Sequence, residues 1–128
     1  MEDIPMKVLF VEDDDDVRTV ISDGLRYLGV DVQAVPTAEK ALLKLKFEKP
    51  NIILLDMNLP GLSGWDLTRK LRQGAYQDIP IVAFSGTARM GDEQKALAIG
   101  CAGFIAKPCD PPDVKRKLEE IRVKSRKF

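Results

Sequence analysis

The stretch that most constrains this chain is Ile52-Ile53-Leu54-Leu55-Asp56-Met57-Asn58-Leu59-Pro60-Gly61. Four branched apolar residues run directly into an aspartate, and a Pro-Gly turn follows. The run is too short for a helix and has no polar face, which is the pattern of a strand covered on both sides of its sheet. Such a strand belongs to a parallel α/β sheet. It puts Asp56 at its carboxyl end, the edge where open parallel sheets bind ligands.

The rest of the chain alternates in the same way. Met6 to Val11 is an apolar run that ends in Glu12-Asp13-Asp14-Asp15-Asp16. Val17, Val20, Ile21, Leu25 and Leu28 then recur on one helical stripe, with Asp15 or Asp16 as the expected cap and Gly29 as the stop. Carboxylates suit a helix N-terminus, which accounts for Asp15 and Asp16. Glu12 and Asp13 lie too early for that role, on the strand's exit. Val30 to Val35 alternates as a short strand. Thr37 caps a helix with Ala38, Ala41, Leu42 and Leu45 inward, stopped by Lys49-Pro50-Asn51. Gly64-Trp65-Asp66 opens a third helix, with Leu67 and Leu71 inward and Gly74 at its end.

Ile79 to Phe84 reads as a fourth strand, running into Ser85-Gly86-Thr87. A helix with a thin apolar stripe is expected from about Met90 to Ile99, capped by Gly100. Gly103 to Ala106 is a short fifth strand that ends at Lys107-Pro108. Asp110-Pro111-Pro112-Asp113 starts the last helix, whose inward stripe is Val114, Leu118 and Ile121.

Strand and helix thus alternate five times, which predicts a doubly wound, flavodoxin-like (βα)5 fold with a parallel sheet and helices on both faces. The strand order expected of that class is 2-1-3-4-5, with a crevice between the first and third strands. That order comes from the fold class, not from these residues. The 128 residues are expected to form one domain, with a core over about 6–122 and a short basic C-terminal tail. The 20 basic and 20 acidic side chains cancel, so no global charge draws the chain to nucleic acid or acidic lipid.

No apolar stretch is long enough to span a membrane, and Met1-Glu2-Asp3-Ile4-Pro5 is too acidic and short for a signal peptide, so a cytoplasmic protein is expected. Cys101 and Cys109 form no CxxC pair and read as reduced packing thiols. The chain has no histidine, which excludes Ser-His and Cys-His catalytic pairs and histidine-ligated zinc.

Each apolar strand delivers something at its carboxyl end. The first gives Glu12 and Asp13, the third Asp56, the fourth Ser85 and the fifth Lys107, while the second gives nothing distinctive. Singly, each residue has an ordinary surface role; delivery to one edge is what makes them a candidate site. Three crowded carboxylates repel one another and call for a cation. An all-oxygen donor set suits a hard ion, and Mg2+ takes one or two carboxylates plus a substrate phosphate. A lysine and a hydroxyl nearby suit a phosphoryl group, where catalysis is largely positioning and charge neutralisation. Asp56 is the natural nucleophile, able to become an acyl phosphate.

In these pieces the sequence resembles the receiver domain of bacterial two-component response regulators. They are VLFVEDD at 8–14, LLDMNLPGLSG at 54–64, PIVAFSG at 80–86 and GFIAKP at 103–108. The resemblance covers about Lys7 to Ile121 and implies a phosphorylation-dependent signalling switch, not a turnover enzyme. It implies that Asp56 accepts a phosphoryl group from a sensor histidine kinase or a histidine phosphotransfer protein. It implies that Asp13 binds magnesium directly, that Glu12 assists through water, and that the Asn58 backbone carbonyl completes the protein ligands with Asp56. Lys107 is implied to pair with the phosphoryl oxygens, and the Lys107-Pro108 peptide bond to be cis. Ser85 and Phe104 take the two switch positions, so that phosphorylation shifts the packing of that face to control a protein partner.

Glu12 stands where aspartate is commoner, Ser85 where threonine is, and Gly86 where alanine is usual. Phe104 lacks the hydroxyl of a switch tyrosine. Asn58 and Thr87 are expected to flank the path of attacking water. The segment from Ala88 to Pro108 is closer to receivers of hybrid kinases and stand-alone regulators.

Two other readings use the same acids. A haloacid-dehalogenase-like aspartyl phosphatase would carry a second aspartate two residues after the first, where this chain has Asn58. A flavodoxin-like nucleotide-binding module would need a Gly- or Ser/Thr-rich phosphate loop after the first strand, where this chain has Glu12-Asp13-Asp14. Lys115, Arg116, Lys117, Arg122, Lys124, Arg126 and Lys127 crowd the C-terminal end. They read as a solvated helix face and tail, with direct nucleic-acid binding unlikely.

Overall fold

Five strands and five helices alternate along the chain in the computed structural model, which describes residues 4–86 and 89–125. Met1, Glu2 and Asp3, the water-path candidate Thr87, Ala88, and the tail residues Arg126, Lys127 and Phe128 lie outside the described residues. The order is β1 (Lys7–Val11), α1 (Asp15–Tyr27), β2 (Asp31–Val35), α2 (Ala38–Phe47), β3 (Ile52–Asp56), α3 (Gly64–Arg72), β4 (Ile81–Ser85), α4 (Asp92–Ala98), β5 (Gly103–Ala106) and α5 (Pro111–Ser125). All pairings are parallel and the sheet runs β2-β1-β3-β4-β5, the expected doubly wound flavodoxin-like order.

The central strands explain why their sequences are apolar throughout. Every residue of β3 and of β4 is buried. Successive side chains point to opposite faces, so one core holds Leu9, Val11, Ile53, Leu55, Ile81 and Ala83 under α2, α3 and α4. The other holds Val8, Phe10, Ile52, Leu54, Val82 and Phe84 under α1 and α5. Burial of each large side chain contributes on the order of 1.5–3 kcal/mol. On the second face Phe10 and Phe84 meet with ring centroids 5.9 Å apart.

The helix starts are local chemistry. Asp14, not Asp15 or Asp16, caps α1, its Oδ1 accepting from the backbone N–H of Asp16 at 2.9 Å and of Val17 at 3.0 Å. Asp15 and Asp16 occupy the first turn, where the helix dipole favours their charge. Thr37 caps α2 and Ser63 caps α3 by the same device. The expected inward stripe of α1 needs correction at Val20, which is 62% exposed, while Ile21, Ser22 and Leu25 are buried. A helix lying on a sheet and against α5 covers only a narrow arc, and Val20 falls outside it. α4 is shorter than its sequence pattern, with Ala96 its one buried residue among those described. β4 starts at Ile81 instead of Ile79, because the backbone N–H of Ile79 is already bonded to the Tyr76 carbonyl in the preceding turn at 3.1 Å.

Gly24, in the C-terminal third of α1, is where that helix meets α5. A Cβ there would meet the Pro111 ring, within 2.6 Å of its Cβ. Alanine normally stabilises a helix interior by about 1 kcal/mol relative to glycine. Here overpacking of roughly 1–3 kcal/mol should dominate. Gly24→Ala is therefore expected to lower the urea midpoint, whereas Gly74→Ala, with open space around the new methyl, should not.

Candidate functional site

The parallel register sets where the polar residues emerge. Val11 sits opposite Leu55, Asp56 opposite Phe84, and Ser85 opposite Ala106. The residues that end or follow β1, β3, β4 and β5 therefore surface at one edge. Two ladder bonds extend past the strand ends and fix them. Glu12 N–H donates to the Val35 carbonyl at 3.0 Å, and Lys107 N–H to the Ser85 carbonyl at 2.8 Å.

The structure brings Glu12, Asp13, Asp56 and Lys107 together, with Ser85 ending the strand beside Asp56. One carboxylate oxygen from each of Glu12, Asp13 and Asp56 lies within 4.8 Å of the others. Glu12 and Asp56 are buried, at 1% and 4% exposure, and Asp13 is exposed. The Lys107 ammonium stands 2.7 Å from Glu12 Oε1, 3.8 Å from Asp56 Oδ2 and 5.1 Å from the centre of the Phe84 ring. Glu12 Oε1 makes no aligned hydrogen bond, so this ion pair is what compensates it. Glu12 Oε2 accepts from Asp14 N–H at 3.2 Å. The lysine thus rests on Glu12, closer to it than to the aspartate.

The Asp56 carboxylate is oriented by its own turn: Oδ1 accepts from Asn58 N–H at 3.0 Å, which leaves Oδ2 facing Lys107. Burial pushes the Asp56 carboxyl above its ordinary range. The Asn58 N–H and Lys107 pull it back, while the Glu12 carboxylate adds to the rise. Asp13 is also raised, first by desolvation and then by sharing a hydrogen bond with Asp56. Three carboxylates this close, with Asp13 and Asp56 raised in proton affinity, form a donor set that fits a hard divalent cation.

Two positioning groups escape a reading of the sequence. Arg18 donates from Nη1 to the carbonyls of Glu12 at 2.9 Å and Asp13 at 3.5 Å, and from Nη2 to Asp15 Oδ1 at 2.5 Å. It holds the acidic loop by its backbone and leaves the side chains to the cleft. Its i,i+3 spacing from Asp15 is the only trace of this in the sequence. Gly64 is the second. A Cβ there would lie 2.5 Å from the Asp56 carbonyl and 2.6 Å from Met57 Cα, so only glycine lets α3 start against the strand exit. Its N–H bonds the Met57 carbonyl at 3.2 Å. Of the remaining expected residues, Ser85 is buried, Asn58 is exposed and Phe104 is half-buried against the core under α2, α3 and α4. The Lys107-Pro108 peptide bond is cis.

Comparison with known proteins gives one consistent match. The family model described as "Response regulator receiver domain" matches residues 8–119. The alkaline phosphatase synthesis transcriptional regulatory protein PhoP of Bacillus subtilis (strain 168) is 31% identical over 119 residues, covering 93% of this chain and 49% of that protein. The chain spans about half the length of the transcriptional regulators it matches. The chemotaxis response regulator CheY4 of Vibrio cholerae superposes with a TM-score of 0.85 at 25% identity, over 92% of this chain and 99% of that one. The receiver domain of sensor histidine kinase PA1611 from Pseudomonas aeruginosa PAO1 superposes with a TM-score of 0.84 at 30% identity, over 94% and 99%. That structure has a magnesium ion coordinated in its active site cleft.

The raised Asp56 carboxyl has a signed consequence. An acid whose native pKa lies above its unfolded value destabilises the fold progressively as pH rises from the unfolded toward the folded pKa, and the penalty is absent below both. Asp56→Asn should therefore stabilise the metal-free protein near neutral pH, by about 1 kcal/mol or a few degrees in Tm. The gain should vanish as pH falls through the acid range. Thermal melts of both proteins between mildly acid and neutral pH check this.

Proposed function

Because the chain belongs to the response regulator receiver family, signalling modules of two-component systems, we propose that it is a phosphorylation-controlled switch with Asp56 as phosphoacceptor. The observation that carries this is the buried Asp56 carboxylate at a strand's carboxyl end, with Glu12 and Asp13 within 4.8 Å and the Lys107 ammonium 3.8 Å away. Asp56 Oδ2 attacks the phosphorus of a phosphohistidine on a sensor kinase or phosphotransfer protein, and the imidazole leaves.

Glu12, Asp13, Asp56 and the Asn58 carbonyl would hold Mg2+, Glu12 through water, and the ion would neutralise charge shared by carboxylates and phosphoryl oxygens. Lys107 then exchanges its contact with Glu12 for the phosphoryl oxygens. Ser85 donates its hydroxyl to the same group, and Phe104 repacks as Ser85 moves. The change is a shift between two packings, favoured by contacts that exist only in the phosphorylated state.

For output the reading is contact with a downstream protein, or onward phosphate relay. Two basic residues of α5, Lys115 and Arg116, have partners within the chain, which favours this over direct nucleic-acid contact. Arg116 pairs with Asp113 at 3.6 Å and Glu120 at 3.0 Å, and Lys115 donates to the Leu28 carbonyl at 2.9 Å. The Arg116 pairs are exposed and solvent-screened, so the Lys115 contact carries most of this support.

The test is intact mass after incubation with Mg2+ and a small-molecule phosphodonor. Wild type is expected to gain one phosphoryl group, and Asp56→Asn none. Removing Mg2+ with a chelator should suppress labelling of wild type. Equal labelling of the two proteins would move the acceptor elsewhere, and sustained turnover of a phosphate monoester would favour an aspartyl phosphatase.

A further inference from the structure

The balanced total charge of the chain conceals a segregation between two helices. On α1 the outward row is Asp16, Val20, Asp23 and Tyr27, all exposed and spaced three or four residues apart along one helical line. On α2 the outward row is Lys40, Leu43, Lys44 and Phe47, also exposed, with Lys46 beside it. Tyr27 is 90% exposed and Phe47 81%. A helix lying on a sheet ordinarily turns a polar face to solvent, and single exposed apolar residues need no explanation. Here each helix carries two large apolar side chains on its outer line, interleaved with charges of one sign.

Little within the chain neutralises these rows. Among the described residues Asp16, Lys40, Lys44 and Lys46 form no ion pair. Asp23 meets Arg26 at 3.6 Å, an exposed and solvent-screened pair, and Arg26 also donates to the Val32 carbonyl at 2.9 Å. Glu39, the acid of α2, is turned toward Gly61. Nor do the two rows satisfy each other. Ile21 and Leu25 of α1 pack on one face of the sheet, and Ala38, Ala41 and Leu45 of α2 on the other, so the sheet stands between them. The acidic row reaches the basic one only when two copies of the chain come together.

We propose that the outer row of α1 on one copy docks on the outer row of α2 on another, joining copies of this chain head to tail. Both rows read charge, apolar, charge, apolar from their N-terminal ends. Helices laid side by side in the same direction therefore bring the aspartates to the lysines and Tyr27 to Phe47. Charge complementarity sets the partner and the register, because α1 against α1 or α2 against α2 opposes like charges. Burial of the interleaved apolar side chains supplies the attraction that exposed ion pairs alone do not. The contact uses two different patches, so it is heterologous and leaves each copy with a free row at either end of the assembly. A contact of one helix on one helix is small, which places it among weak, reversible associations. The inference is independent of phosphorylation at Asp56.

The experiment is sedimentation of the full chain at low salt in the presence of a chelator, at protein concentrations up to about 1 mM, the range of weak contacts. The average mass of wild type should rise with concentration, and high salt should suppress the rise. Lys40→Glu/Lys44→Glu and Asp16→Lys/Asp23→Lys each set like charges against one another. Either variant alone should need about tenfold more protein for the same rise. Mixed in equal amounts the two are complementary again, and association should return to within about threefold of wild type. Thermal melts of each variant are recorded first. Leu43→Ser/Phe47→Ser changes only exposed side chains and should lose the association too, which decides the matter if a charge variant fails to fold. Wild type that stays monomeric throughout overturns the proposal, as does association that both charge variants retain, or folded variants whose mixture associates no better than its parts. Binding of monomeric wild type to anionic phospholipid vesicles, lost in Lys40→Glu/Lys44→Glu, would overturn it in favour of a membrane surface as the partner of α2.

Discussion

Parallel strands all point the same way, and this constraint organises everything else in the molecule. Helical crossovers return the chain to the same starting edge, so every strand exits at the opposite one. Four exits carry polar groups here: the acids after β1, Asp56 on β3, Ser85 on β4 and Lys107 after β5. A buried strand such as β3 has no other place for a charge. The apolar packing of both sheet faces thus fixes the position of the charges as firmly as any contact among them.

Charge then works against the fold at that edge. Glu12 and Asp56 are both buried, and burying carboxylates side by side is unfavourable without a compensating cation. Lys107 supplies part of the compensation from 2.7 Å and 3.8 Å. Its contact with the Phe84 ring at 5.1 Å lines the stem along the core and leaves the ammonium at the carboxylates. Arg18 adds positive charge but directs its donors to the carbonyls of Glu12 and Asp13 and to the Asp15 carboxylate, not to the carboxylates of the cluster. The site is held in shape by one cation and partly neutralised by another, a division that leaves the acids available to a divalent ion.

The architecture was readable because it rests on periodicity: apolar runs at β1, β3 and β4 and the Thr37 cap each reflect a local rule. The convergence of Glu12, Asp13, Asp56 and Lys107 was readable once the strand order was assumed, since register does the rest. What escaped was whatever depends on distance between elements. The cap at Asp14 shifted because five consecutive acids from Glu12 offer several equivalent candidates. Val20 looks like a core residue by spacing, but the arc that α1 presents to the sheet and α5 is too narrow to include it. Gly64 carries no pattern of its own; its importance appears only when the Asp56 carbonyl lies 2.5 Å from where a Cβ would sit. The lysine's preference for Glu12 over Asp56 is likewise a matter of ångströms.

That close approach at Gly64 also divides the edge mechanically. On the α3 side, backbone touches backbone with no methyl of clearance, and the Met57 carbonyl is hydrogen-bonded across the gap. On the α4 side, a seven-residue helix is held to the core chiefly through Ala96, after a left-handed Gly91. The surroundings of Asp56 are therefore more tightly packed toward α3 than toward α4. The two flanks of Asp56 thus differ in clearance, with backbone against backbone toward α3 and a short helix anchored by one small buried side chain toward α4.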